Sequence, residues 1–254
     1  MALLSDGSVS GLDDLAAQDS QLLDMANEEG INVTQKMALA QGEIEIELTS
    51  LLESLKIAAW PLSLILEPTI NDIVVTPALQ LWHTYRILEM VYADAYSNQL
   101  NDRYAAKRDQ FHQFAGWARE KLIQNGLGIC TNPVPRADTP LLNATPGNLP
   151  DGTYYVTVSW VNQAGEAGAS GLPDAITTSS STFEVQPVAP PANAIGWNVY
   201  VGQAPETMVI QNDGLIAVSQ LWQQPPALRT TGQAPGTGQA ANYLKPIPRV
   251  LQRG

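Results

Sequence analysis

Two histidines, one cysteine and a run of alternating glutamates are the residues of this 254-residue chain whose types can do chemistry. His83 and His112 fall in separate helical stretches. Neither belongs to a Glu-x-x-His or His-x-x-x-His spacing, which sets two ligands on one helix face, so polar or half-buried helix positions are expected and no metal site. Cys130 stands alone, which excludes an intrachain disulfide or a cysteine-based metal cluster. With no histidine near it in sequence, it reads as a buried inert thiol rather than a nucleophile. Glu43, Glu45 and Glu47 alternate with Ile44 and Ile46. Three such carboxylates have the chemistry of a cation site or an acid/base pair, but nothing nearby marks an apolar pocket that would raise a pKa, and a solvated acidic stripe is expected. Gly236-Thr237-Gly238 follows no expected strand, opens no helix and lacks the lysine of a phosphate loop, and no Gly-x-Ser-x-Gly elbow occurs. No catalytic, cofactor-binding or metal-binding residue is expected, and the chain reads as a non-enzyme.

Charge is unevenly distributed. The net charge is -12 and the pI about 4.4, which argues against a general nucleic-acid binder because phosphate contacts need a basic surface. Residues 1–54 hold eleven acids and one base, Lys36. From Ala137 to Leu228 there is no Lys or Arg, and beyond Asp213 there is no Asp or Glu but four bases, Arg229, Lys245, Arg249 and Arg253. An acidic start and a basic end can attract each other within a chain or between copies. An apolar fraction of 44% and a mean hydropathy of -0.08 fit a globular protein long enough for two domains. The start has no basic region followed by an apolar run, so no signal peptide is read there and synthesis and folding in a cytoplasm are expected. The most apolar stretch, Ile57 to Leu66, is interrupted by Pro61 and too short to span a bilayer. Asn32-Val33-Thr34 and Asn143-Ala144-Thr145 are read as chance matches to the glycosylation pattern.

The elements that would position these residues change character after Cys130. A first helix is expected over Leu12–Glu29, closed by Gly30 as a left-handed cap. A second, with Thr34 as N-cap, runs to about Lys56, weakened by Gly42 and ended by Pro61. Within it the Glu43–Glu47 alternation has a strand period. A loop from Pro61 to Thr76 is expected over the core. Thr76 caps a third helix with Pro77 at its first position, running to about Gln99, with Leu81, Tyr85, Leu88 and Tyr92 on one face and Trp82 and Val91 flanking. A fourth, from Asn101 or Asp102 to Gln124, presents Tyr104, Phe111, Phe114, Ala115, Trp117 and Leu122, read as core rather than as a ligand box, and Asn125-Gly126 stops it. The short connection makes the last two an antiparallel hairpin. Pro133, Pro135, Pro140 and Pro146 mark a stiff linker over 131–146. Thr153–Val161 is the strongest strand, turned by Asn162–Gly165, with others near Ile176–Thr178, Thr182–Val188, Gly196–Gly202, Met208–Gln211 and Leu215–Leu221. The expected fold class is α+β multidomain: an N-terminal α-helical bundle (1–130), an antiparallel β-sandwich (147–225) and an extended, flexible or partner-ordered basic tail (226–254).

Two stretches carry a resemblance. Gly152-Thr-Tyr-Tyr-Val-Thr-Val-Ser-Trp-Val-Asn-Gln-Ala-Gly-Glu166, with the later Gly196-Trp-Asn-Val-Tyr-Val-Gly202, resembles immunoglobulin-like or fibronectin type III-like modules of tailed-phage virion proteins. Asn125-Gly-Leu-Gly-Ile-Cys-Thr-Asn-Pro-Val-Pro-Arg136 resembles the joint between helical body and β-module in phage structural proteins near the head–tail junction. The layout of the helical half resembles head–tail connector (adaptor) proteins. This resemblance implies an Ig-like sandwich and a virion protein at the head–tail junction. It also implies a homo-oligomeric ring of about a dozen copies beneath the portal, contacting the portal protein and a downstream neck or tail protein, with no membrane. DNA would pass without specific binding, since an acidic lining does not trap a duplex by counterion release. Glu43, Glu45 and Glu47 become candidates for the lumen. Tyr243, Leu244, Ile247, Val250 and Leu251 would dock the tail into a neighbouring subunit or the portal, with Lys245, Arg249 and Arg253 meeting acidic rims. The alternative is a receptor- or carbohydrate-binding module of a tail fibre or baseplate, with Trp160, Trp197 and Trp222 stacking on sugars. The sandwich strands holding Trp160 and Trp197 argue for a core role instead. A host cytoplasmic scaffold fits the composition but not the β-module.

Overall fold

The computed structural model describes residues 1–58, 68–99 and 102–245. The fold is α+β, helices first and antiparallel sheets after them. It comprises two compact units, each drawn from two stretches of chain: Gly7–Ile129 with Ala241–Gly254, and Met1–Asp6 with Cys130–Ala240.

The helical unit opens with α1 (Leu12–Gln18) and α2 (Leu22–Glu28). The single helix expected over Leu12–Glu29 is therefore two. Asp19 is the reason: its backbone is extended and its carboxylate accepts the Gln21 amide at 3.1 Å, so the side chain takes a donor the helix would have used. Gly30, at φ +68, ends α2, and the Ile31 amide returns to the Ala26 carbonyl at 2.8 Å. α3 (Val33–Ala58) is capped by Asn32 rather than by Thr34, through the Gln35 amide at 3.0 Å. The Glu43–Glu47 alternation lies inside this helix. Of the expected loop over 61–76, residues 61–67, with Pro61 and most of the Ile57–Leu66 run, lie outside the described residues. After them, Ile73 and Val74 are fully buried.

α4 (Pro77–Gln99) starts at its expected cap, the Thr76 hydroxyl accepting the Leu79 amide at 3.4 Å. It is buried more widely than one amphipathic face predicts. Leu79, His83, Ile87, Leu88, Val91 and Ala95 are all 0% exposed, whereas Leu81 and Tyr85 are only half-buried. α5 (Ala105–Asn125) packs against it as the second arm of the expected hairpin. Phe111, Ala115, Ala118 and Leu122 form its buried stripe, at a 3–4 residue spacing. Phe114 and Trp117 fall beside that stripe and are 39% and 49% exposed, contrary to their expected core role. Gly126, at φ +98, caps α5 through its amide to the Leu122 carbonyl at 2.9 Å. Strand β1 (Leu127–Ile129) follows and pairs antiparallel with β10 (Asn242–Leu244), Gly128 opposite Tyr243.

In the other unit, the strands are β2 (Leu141–Pro146), β3 (Gly152–Asn162), β4 (Asp174–Thr178), β5 (Ser181–Gln186), β6 (Ala194–Gly202), β7 (Val209–Ile210), β8 (Ile216–Ala217) and β9 (Trp222–Gln223). They form an antiparallel sheet ordered β2-β5-β9 and another ordered β4-β3-β6-β7, with β8 also on β6. Both sheets feed one core: Phe183 and Val185 from the first, Tyr154, Val156, Val158, Trp160, Trp197, Val199 and Val201 from the second. Alternation along β3 and β6 puts these side chains on one face, with Trp160 opposite Trp197.

Two expected boundaries move. The 131–146 stretch is no free linker: Val134 and Ala137 are core residues and β2 pairs with β5 along its whole length. Nor is 226–240 a loose tail. The Arg229 amide donates to Gln211 Oε1 (3.0 Å), the Ile210 amide to the Gln233 carbonyl (2.9 Å), and Gln239 is buried. Strand edges and buried glutamine side chains give this segment the partners its composition did not reveal. The expected strand over Leu215–Leu221 reduces to β8, with β9 just beyond it.

Gly126 meets two demands that other residues cannot: its φ is positive, and an added Cβ would lie 2.9 Å from the Leu244 carbonyl oxygen. Gly126→Ala should lower stability by about 1–3 kcal/mol, read from the urea midpoint of the helical unit.

Candidate functional surface

His83 is fully buried where three segments of the helical unit meet. Its Nε2 lies 3.3 Å from the Met37 carbonyl of α3, and its Nδ1 3.0 Å from the Ser10 hydroxyl. A carbonyl only accepts, so Nε2 carries the hydrogen and Nδ1 accepts from Ser10. Ser10 in turn lies 2.9 Å from the Thr84 hydroxyl. Burial lowers the His83 pKa, opposed by the Met37 bond and by Asp14. A serine beside a histidine resembles a nucleophile and its base, but Ser10 is 1% exposed and His83 0%, so substrate has no path to them. The pair is a neutral tie between the 7–11 segment, α3 and α4.

Asp19 was not singled out in the sequence, yet it is a nearly buried carboxylate held by a cation and a phenol. It is 7% exposed and accepts from the Tyr92 hydroxyl at 2.6 Å and from the Lys107 ammonium. Burial alone would raise its pKa, but the bonds from Lys107, Tyr92 and the Gln21 amide outweigh it and the net shift is downward. The Tyr92 hydroxyl is shifted upward by burial and by that same carboxylate. These bonds join the Asp19 turn between α1 and α2 to Tyr92 of α4 and Lys107 of α5.

The expected acidic stripe is divided. Glu43 and Glu47 share one side of α3, where Arg86 binds Glu43 (2.7 Å) and Arg119 binds Glu47. Arg86 also reaches Glu89 at 2.8 Å, and Glu89 accepts from His112 Nδ1 at 2.8 Å. These groups line a cleft of about 250 Å³ with Trp82 and Gly116. Glu45 turns to another side, accepting from Gln41 at 3.1 Å. Each half-exposed pair contributes roughly 0–1 kcal/mol, so the cleft is a surface ion-pair network. Among the described residues no group of three or more His, Cys, Asp or Glu could hold a metal ion. Among them also, no helix is long and apolar enough to cross a membrane. Cys130 is buried and carries no disulfide.

The resemblance-bearing motifs are structural joints. Asn162 Oδ1 accepts the amides of Ala164 and Glu166, both at 3.0 Å, and its Nδ2 reaches the Asn132 carbonyl (3.1 Å) and Glu166 (3.2 Å). Gln239 adds bonds to Glu166 (2.8 Å) and from the Val134 amide (2.6 Å), so the turn is stitched to the segments on either side. Comparison with family models, curated proteins and solved structures returns no match. Trp160 and Trp197 are 1% and 0% exposed, and Trp222 is half-buried. Of the tail residues, Tyr243 and Leu244 pair within their own chain in β10, Tyr243 49% exposed, and Lys245 is exposed just after it. Ile247, Arg249, Val250, Leu251 and Arg253 lie outside the described residues.

The His83 geometry sets a pH dependence. With the folded pKa below the ordinary 6.5, the unfolded chain binds more protons, so His83's contribution is complete above about pH 6.5 and is lost on acidification. Asp19, shifted below 3.8, adds its own loss only at lower pH. The urea midpoint of the helical unit should hold from pH 8 to 7 and fall between pH 6.5 and 5. His83→Gln should remove that slope; an unchanged slope would assign it to another group.

Proposed function

We propose that this chain is a non-enzymatic virion structural protein of a tailed phage, a head–tail connector whose copies form a ring beneath the portal around the DNA channel. The observation that carries this reading is the β1–β10 pairing. It returns the chain to the acid-rich helical unit and leaves the basic segment beyond Lys245 beginning there. A unit with acidic helices and a cationic arm has opposite charges suited to a head-to-tail contact between identical copies, and such contacts form a ring where the rotation between copies closes. An acidic wall, with Glu43, Glu45 and Glu47 among its candidates, would let a duplex slide past without counterion release. The β unit, proposed as an Ig-like sandwich, would serve as an outward spacer. Buried Trp160 and Trp197 count against sugar stacking and so against the tail-fibre alternative.

Electron microscopy and mass photometry of the purified full chain should show a ring of several copies. Removal of residues 246–254 should leave both units folded but abolish the ring and incorporation into particles. A chain that stays monomeric with portal protein present, and whose truncation alters only host attachment, would overturn the connector reading in favour of the fibre reading.

A further inference from the structure

Two surfaces of the helical unit carry apolar side chains that its own fold leaves uncovered, and they lie on different helices. On α5, Phe114 and Trp117 stand one turn apart at 39% and 49% exposure. Phe114 packs inward on Tyr85 (ring centroids 5.3 Å) and Phe111 (6.2 Å), so this ridge is held from within. At about 100° per residue, the pair falls on the far side of the buried stripe from His112, Gly116 and Arg119, which line the cleft toward α3.

On α3, Leu39 is 50% and Ile46 72% exposed, Ile46 being the most exposed large apolar side chain among the described residues. Between them, Gly42 borders a recess of about 420 Å³ with Gly7, Met37, Ala38, Gln41 and Glu45. Glycine inside a helix is destabilising relative to alanine. Nothing packed on α3 demands it here: among the described residues no atom would meet an added Cβ within 4 Å. A partner side chain entering the recess would give that glycine a purpose.

Charge selects the partner. α3 carries Lys36 and Lys56 against four glutamates, whereas α5 carries four bases against Asp109 and Glu120. That favours α3 against α5 over either helix against its own copy. Glu45 lies within a turn of Gly42, and Lys121 within a turn of Trp117, so opposite charges border the two apolar surfaces.

We propose that the Phe114–Trp117 ridge of one copy packs on the Leu39–Gly42–Ile46 surface of a second copy, an aromatic side chain entering the recess at Gly42. The two surfaces differ, so the contact is head-to-tail. The inference rests on the connector reading and names the helical surfaces that meet in its ring. An aromatic anchor set among aliphatic groups with a charged rim is the ordinary anatomy of such an interface.

Cross-linking of the full chain with a short bismaleimide tests it, buried Cys130 being left in place. Ile46→Cys and Trp117→Cys chains should link to each other when mixed, and neither should link to itself; the double variant should give a ladder of linked copies. Gly42→Leu should raise the urea midpoint of the helical unit, yet raise the concentration at half assembly about tenfold, equivalent to 1.4 kcal/mol. Self-linked pairs in place of the mixed pair, or assembly untouched by Gly42→Leu, would overturn the proposal. A ring seen by electron microscopy without the mixed pair would overturn it too, while sparing the connector reading. Neither ring nor pair would end both.

Discussion

A short antiparallel pairing, Leu127–Ile129 with Asn242–Leu244, determines how the whole chain is partitioned. Without it the protein would be a helical part followed by a β part. With it, the chain leaves the helical unit at Cys130, builds both sheets, and returns at Ala241. Closing so long a loop costs little more entropy than closing one half its length, because the cost grows only with the logarithm of the length. The local geometry must still be satisfied, and two glycines satisfy it. Gly126 takes the positive φ that turns the chain out of α5, and Gly128 lets the strand approach Thr76 and Val74, where an added Cβ would lie 2.5 and 3.0 Å from their methyl groups. The glycine-rich joint after α5 is thus the point where helix end, strand and returning chain converge.

Each unit then solves its own problem of buried polarity by a different route. The helical unit buries a histidine, a serine, two threonines and an aspartate; His83, Ser10, Thr84 and Asp19 have partners on another segment, and Thr76 caps its own helix. Its central helix α4 is covered on most sides, so polar side chains that would ordinarily face water point into neighbours instead. The β unit relies on amides. Asn162, Gln211, Asn212 and Gln239 are buried and bond to backbone groups both of strand β6, as Asn212 with Val199, and of irregular segments, as Asn162 with Asn132, Gln211 with Arg229 and Gln239 with Val134. Such side chains replace a ladder where the chain runs irregularly, and irregular chain can be buried on those terms.

This division bears on function. Groups that look reactive in isolation, such as His83 beside Ser10 or the carboxylate of Asp19, are closed to solvent and fully engaged in joining segments. Part of the exposed charge is paired across helix surfaces, as in Arg86 with Glu43 and Glu89. What remains for interaction is surface: the aromatic face of α5, the acidic helices and the basic terminal segment. Those are features of association between protein surfaces, which is why a structural role is the better proposal.

Local signals in the sequence determined the local outcomes. Thr76 and Pro77 start α4, Gly30 ends α2, Gly126 ends α5, and the alternation of Thr153–Val161 makes β3, because each depends on residues a few positions apart. The α+β class and the change of character near Cys130 follow from the same signals. Tertiary structure decided whatever needed a distant partner. Asp19 splits the first helix because Tyr92 and Lys107 hold its carboxylate. Residues 131–146 and 226–240 read as linker and tail because their stabilising bonds go to Gln211, Gln239 and strand edges far away in sequence. Phe114 and Trp117 sit at helical spacing like core residues, yet α4 covers only the stripe beside them. Periodicity can say that a helix has an apolar side, but how much of that side is covered depends on what packs there, and that is set by the rest of the chain.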